Sequence, residues 1–388
     1  MKYINTEKTV IKSWCNNPED GAIEQAKNIA NLPFIYKQVC LMPDTHQGYG
    51  MPIGGVIACE NVVIPNAVGV DIGCGMCAVK TSITDIDVDT LKNIMGEIRK
   101  VIPVGFNKHI SSQPEFHDFE SSLLIDNIPK ICLNNWDSAS KSIGTLGGGN
   151  HFIEIQKDEE GYVWIMVHSG SRNLGKQVAD YYNDVAKKLN HKWYSSVPKE
   201  YDLAFLPTDI QEAVDYINEM QYCVEFALFN RELMIKRIKE SFNKYIDCFF
   251  EPIINIAHNY ARLENHFGKN VWIHRKGATS AKLDELGIIP GSQGTSSYIV
   301  KGLGNTESFM SCSHGAGRKI GRKEAQRTLN LEGEINMLNS KGIIHSIRVV
   351  GDLDEAPSAY KDIDLVMEEQ KDLVDIVVKL EPSAVIKG

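Results

Sequence analysis

Glycine is spread unevenly along this chain and concentrates in six blocks: "HQGYGMPIGG", "GVDIGCG", "GTLGGGNHF", "HSGSRNLG", "GSQGTSS" and "SHGAGR". Glycine weakens the interior of a helix or strand, so each block marks a place where an element stops and the backbone turns. Four of the blocks also carry a histidine, namely His46, His151, His168 and His314, and another carries Asp71 and Cys74. Blocks this far apart that join small residues to reactive ones predict loops at strand ends meeting in one cleft. They argue against separate functional domains, and we read residues 1–388 as one unit. The last block, within "SFMSCSHGAGR", surrounds His314 with serine, cysteine and glycine, which suits a side chain that something large must approach.

Between the blocks, β-branched and apolar runs predict strands at "GGVIACENVVI", "CAVKTSI", "HFIEIQK", "VWIMVHSG", "NVWIHR", "SYIVKG" and "HSIRVVG". Helical periodicity covers residues 20–31, 88–101, 174–190 and about 208–246. The order lacks regular βαβ alternation, so the reading is α+β rather than a doubly wound sheet. Residues 106–140 have the weakest pattern and are expected to form a mobile surface segment.

The charge balance is 41 − 50 = −9, so a polyanionic partner would have to meet a local basic patch rather than a global field. The start, "MKYINTEKTVIKSW", has no apolar leader, and no run approaches the ~18 apolar residues of a membrane span, which suggests a cytoplasmic protein. Nine cysteines without an export signal read as reduced thiols, available as metal ligands.

Asp71 and Cys74 stand three apart in a glycine-rich turn, and a thiolate beside a carboxylate suits a divalent transition metal. Alone, the pair is as consistent with a buried turn cysteine. His151, His168 and His274 each stand at a strand end; one such histidine is more often a packed core residue, but three shift the balance. With Asp71 and Cys74 they make five donors from four segments, enough for two ions sharing one bridging ligand. His109, His117, His191, His258, His266 and His345 read as surface or packing residues, and His46 as intermediate. Arg172, Lys176, Arg275, Lys276, Arg318, Lys319, Arg322 and Lys323 supply the local basic patch that phosphates would need, although Lys319 and Lys323 also fit a solvated face. "GTLGGGN" and "GSQGTSS" suit backbone cradles for phosphate, yet neither matches a Walker loop.

Taken in order, "MPDTHQGYGMPIGGV", "GVDIGCGM", "GTLGGGNHFIEI", "VHSGSRNLG", "HRKGAT", "IPGSQGTSSYIV", "SCSHGAGR" and "DEAPSAYKDIDLVM" closely resemble the RtcB family of tRNA-splicing RNA ligases, from about residue 40 to the end. The chain looks like a short, bacterial-type member, and it carries Gly321 where many members have serine. The resemblance implies an RtcB-like α+β fold with mixed sheets, flanking helices and a central metal-containing cleft. It implies joining of RNA 3′-phosphate or 2′,3′-cyclic phosphate ends to 5′-hydroxyl ends with GTP and two Mn²⁺ ions, in tRNA splicing or RNA repair, with room for an activating partner protein. His314 would be the nucleophile that takes GMP, and Asp44 would fix its tautomer. Asp71, Cys74 and His151 would hold one ion, and Cys74, His168 and His274 the other. Asn150, Glu154, Ser297, Tyr360 and Lys387 would contact the guanylate, with Arg172 and Arg318 at its phosphates. The alternatives are a binuclear phosphoesterase that opens cyclic phosphates without ligating, and a non-catalytic RNA-binding module.

Overall fold

The computed structural model describes residues 1–5, 8–123 and 128–388. Two sheets dominate. The first runs Lys2–Ile4, Val10–Ser13, Ile35–His46, Ile53–Cys59, Lys269–Lys276, Asn259–His266, with one parallel pairing, between Val10–Ser13 and Ile35–His46. The second runs Ile254–Ala257, Gly75–Lys80, Val163–Ser169, Phe152–Asp158, Val374–Lys387, Ser297–Gly302, Leu286–Ile289 and is antiparallel throughout.

Both faces of the second sheet are covered, which explains why "VWIMV" is an unbroken apolar run. Met76, Ala78, Trp164 and Met166 pack with Ile288, Ile299 and Leu380 on one side. Their alternating neighbours Cys77, Val79, Ile165 and Val167 pack on the other, against Ile94 and Ile98 of helix Val88–Val101 and Met234 and Ile238 of helix Gln211–Asn243. Asp87 starts the former helix by accepting from the amides of Asp89 and Thr90. The 33-residue helix Gln211–Asn243 also supplies Tyr216, Phe226 and Leu233 to a second core with helix Leu174–Lys192.

Six of the expected strand runs lie in or overlap strands; "HSIRVVG" does not. There the Asp352 carboxylate accepts from the amides of Arg348 and Val349 and draws the chain into the 3-10 turn Val350–Glu355, leaving Val349 and Val350 exposed. Within 106–140 the helices Glu115–Ser122, Lys130–Asn134 and Trp136–Ser142 form, and Phe116 and Phe119 are buried; residues 124–127 of that stretch lie outside the described residues.

At one place a single residue links the two sheets. Strand Ile254–Ala257 belongs to the second sheet and strand Asn259–His266 to the first, so the chain crosses between them at His258. The seam that this crossing creates is where the reactive side chains gather.

Candidate active site

Cys74 precedes strand Gly75–Lys80, and its Sγ lies 3.3 Å from Nε2 of His151 and 3.2 Å from Nε2 of His168. His151 Nε2 is also 3.2 Å from Oδ2 of Asp71. His168 donates from Nδ1 to the Asn150 carbonyl at 3.0 Å, so its Nε2 lone pair faces the thiol. Donor atoms of Asp71, Cys74 and His151 lie within 4.8 Å of one another, and so do those of Cys74, His168 and His258. Cys74 is common to both sets.

Burial, then His151, holds His168 well below the ordinary histidine value, and burial, then His314 and His168, does the same for His258. Burial followed by the Asp71 carboxylate pushes the Cys74 thiol well up. Neutral imidazoles beside a thiol that ionises only against a cation fit a divalent transition metal. Nδ1 of His258 is buried without a hydrogen-bond partner among the described residues, so no hydrogen bond at that nitrogen accounts for how the ring is placed.

The sequence reads His258 as a packing residue and His274 as a ligand; the structure brings His258, and not His274, within reach of Cys74 and His168. His274 is fully buried in strand Lys269–Lys276, where its Nε2 accepts the Ile64 amide at 3.0 Å and its Nδ1 donates to the Trp272 carbonyl at 3.1 Å. Both ring nitrogens are spent on the backbone, and no lone pair remains for a metal. His258 instead packs its ring 5.2 Å from that of His168 and 4.8 Å from that of His314.

The segments that carry Cys74, His168 and His258 share a support that the sequence did not single out. Arg231, fully buried on the long helix, donates to the carbonyls of Gly73 and Ser169 at 2.9 Å each and of Ile256 at 3.2 Å. Those carbonyls lie within two residues of Cys74, His168 and His258, so one guanidinium fixes the backbone beneath all three. Its neighbour Asn230 holds the Gly144 amide at 2.7 Å and the Gly170 carbonyl at 3.2 Å. An arginine inside an apolar helical face was the available signal.

His314 follows the short strand Ser311–Ser313. Oδ2 of the fully buried Asp44 accepts from its ring Nδ1 at 2.6 Å and from its amide at 3.1 Å. Burial raises the Asp44 pKa, but the charge and hydrogen bond of His314, then Lys361 and His46, together hold it below the ordinary carboxylate value. With Nδ1 committed to Asp44, Nε2 is the free nitrogen. Gly277 lets the ring sit against the backbone: its φ is +59°, and a Cβ there would lie 3.0 Å from Cε1 of His314. The smallness of residues around His314 is thus partly a packing requirement of the ring itself.

Next to the cluster, through Asn150, lies a cleft lined by Asn150, Phe152, Glu154, Glu355, Tyr360 and Lys387, with Gly291, Ser292 and Gln293 in its wall. Burial pushes the Glu154 pKa up to about 8, opposed by the Gln156 hydrogen bond and by Lys387. Ser297 does not line the cleft: it is buried, and its Oγ accepts from Gln156 Nε2 at 3.0 Å and from the Gly291 amide at 3.2 Å, supporting the wall from behind. Glu355, missed in the sequence, binds the Tyr360 hydroxyl, Arg318 at 3.3 Å and Arg322 at 2.8 Å. Arg318 also lies 5.1 Å over the Tyr360 ring and donates to the Asp354 carbonyl.

Arg172 donates to Thr145 Oγ1 at 2.8 Å and to the Gly105 carbonyl at 2.6 Å, leaving Nη1 against Gly147, where a Cβ would come within 2.5 Å of it. Arg275 leaves the phosphate-binding group: it is fully buried, with Nη1 2.5 Å from Glu264 Oε1. Lys276 is buried too, donating to the carbonyls of Tyr49 and Asn66, and Lys176 pairs with Asp180. Lys319 and Lys323 are exposed.

Fold and site together define an α+β protein with a buried sulfur, imidazole and carboxylate cluster at the seam of two sheets, beside a histidine held by a carboxylate. Residues 25–388 match the family model described as tRNA-splicing ligase RtcB. The RNA-splicing ligase RtcB of Escherichia coli K12 is 37% identical over 416 aligned positions covering the whole of both chains. The tRNA-splicing ligase RtcB of Thermococcus kodakarensis is 33% identical, with 95% of this chain and 92% of that one aligned. The RNA-splicing ligase RtcB homolog 1 of Entamoeba dispar is 32% identical, with 98% and 84% aligned. The chain belongs to the RtcB family.

Proposed function

We propose that this chain is an RNA ligase that joins a 3′-phosphate or 2′,3′-cyclic phosphate end to a 5′-hydroxyl end at the expense of GTP. The observation that carries the reading is the placement of His314: its Nδ1 is 2.6 Å from the Asp44 carboxylate, and its ring is 4.8 Å from that of His258 in the ligand cluster. A histidine oriented this way presents Nε2 as nucleophile. Nε2 attacks the α-phosphorus of GTP, an N–P bond forms, and pyrophosphate leaves; Asp44 stabilises the positive charge left on the ring. An oxygen of the RNA 3′-phosphate then displaces His314 from that phosphorus, giving an RNA–ppG end. The 5′-hydroxyl attacks the RNA phosphorus and GMP leaves; a cyclic phosphate is first opened by water.

Two Mn²⁺ ions, one held by Asp71, Cys74 and His151 and one by Cys74, His168 and His258, would neutralise phosphate charge during these transfers. Asn150, Glu154, Tyr360 and Lys387 hold the guanylate, and Arg172 and Arg318 face the phosphates. The names of the relatives support the RNA substrate. The test is to supply a 3′-phosphate strand and a 5′-hydroxyl strand with Mn²⁺ and either GTP or ATP. Joined product with GTP alone supports the proposal; opening of a cyclic phosphate with no joined product under any nucleotide would select the phosphoesterase.

A further inference from the structure

Phe106 and Ile110 are fully exposed, and they stand four residues apart on the turn whose Gly105 lies against Gly388, next to the cleft-lining Lys387. Exposed apolar side chains on loose loops are ordinary, but this turn is tied down along its length. The Pro103 carbonyl accepts from the Leu146 amide at 2.9 Å, the Gly105 carbonyl from Arg172 at 2.6 Å, and the His109 amide donates to the Lys141 carbonyl at 2.9 Å. The His109 ring lies 2.8 Å from Nη1 of Arg237. The turn thus holds its backbone firmly while presenting an aromatic ring to solvent.

Its position relates it to the phosphate cradle. A Cβ on Gly148 would lie 3.7 Å from the Gly105 Cα, so Phe106 stands within a side-chain length of the glycine run beside Asn150. The same Arg172 that holds Gly105 directs its remaining nitrogen at Gly147. Between Pro103 and Gln113 there is no carboxylate, while Lys108 bonds only to Ser138 among the described residues. An exposed ring on an anchored turn, with Lys108 two residues on and Arg172 holding Gly105, next to a backbone cradle, is the arrangement that stacks an unpaired nucleobase whose phosphate is held nearby.

We propose that Phe106 stacks on the nucleobase of the 3′-terminal nucleotide of the phosphate-bearing RNA strand, an inference that rests on the ligase reading above. The experiment measures initial ligation rates against concentration of the 3′-phosphate strand, with wild type, Phe106→Ala and Phe106→Trp. Each is supplied with a strand carrying a normal or an abasic 3′-terminal nucleotide. The alanine variant raises KM by about 5- to 150-fold, the factor that one stacked base supplies, and tryptophan restores it. Removing the terminal base raises the wild-type KM similarly and erases the difference between wild type and the alanine variant. An unchanged KM in Phe106→Ala would overturn the inference. So would a loss that persists in full on the abasic strand, or one that depends on an abasic residue in the 5′-hydroxyl strand instead. Covalent labelling of wild-type enzyme by GTP needs no RNA: its absence counts against the ligase reading, whereas labelling with an indifferent Phe106 removes the stacking alone.

Discussion

The grouping of Cys74, His151 and His168 was legible because each sits in or beside a glycine block, where a reactive side chain has no packing purpose. His258 and His274 were not separable that way: both end short apolar runs, "INIAH" and "VWIH", and what distinguishes them is a lone pair. In His274 that pair goes to the Ile64 amide; His258 occupies the crossing between sheets, which only the topology reveals. His258→Ala therefore abolishes ligation and lowers Mn²⁺ binding in calorimetry. His274→Ala leaves the ligand cluster whole but strands a buried amide, which destabilises the fold by about 1–3 kcal/mol in urea melts. Asp44→Asn keeps the shape but loses the charge that orients His314, and enzyme guanylylation falls by about 10²- to 10⁴-fold. Glu154 gives a pH signature. Its pKa is raised from 4.5 to about 8 by burial, so between those values the folded chain keeps a proton that the unfolded chain releases. Stability from this group is complete below that window and is lost as pH rises through it. Denaturation at pH 5 and pH 8 then shows Glu154→Gln gaining on wild type at the higher pH, and an equal difference at both would contradict the assignment.

At the scale of elements, helix boundaries were readable where periodicity and capping agree, as in Val88–Val101 with Asp87 before it. Strand "HSIRVVG" misled because β-branched composition says nothing of Asp352, whose side chain competes locally for the backbone amides. Arg231 was only half legible: its place inside an apolar helical face marks it as unusual, but nothing local says that it carries the carbonyls beneath Cys74, His168 and His258. Arg231→Met leaves those carbonyls without donors, and we expect a loss of about 3 kcal/mol or more, with weakened Mn²⁺ binding at temperatures where the variant is still folded. Gly321 is the N-cap of helix Arg322–Thr328, makes no side-chain cap, and has open space where a Cβ would stand. Gly321→Ser adds the missing acceptor and stabilises the chain by a few tenths of a kcal/mol, about 1 °C or less in melting temperature.

For the whole molecule, the site exists because two sheets meet. Asp44 comes from the end of strand Ile35–His46 in one, Cys74 and His168 from strand ends in the other, and His258 from the junction. Convergence of the glycine blocks was visible in sequence; the seam on which they converge was not, since no local pattern records which strands become neighbours. On the proposed reading, this seam makes His314 a nucleophile toward GTP. That reading is tested most directly by incubating the metal-loaded protein with GTP labelled at the α-phosphate, denaturing it, and counting label retained on the chain, with His314→Ala alongside. Acid-labile label that requires Mn²⁺ and disappears in the variant is the predicted result; label that persists in His314→Ala, or none on wild type loaded with Mn²⁺, contradicts it.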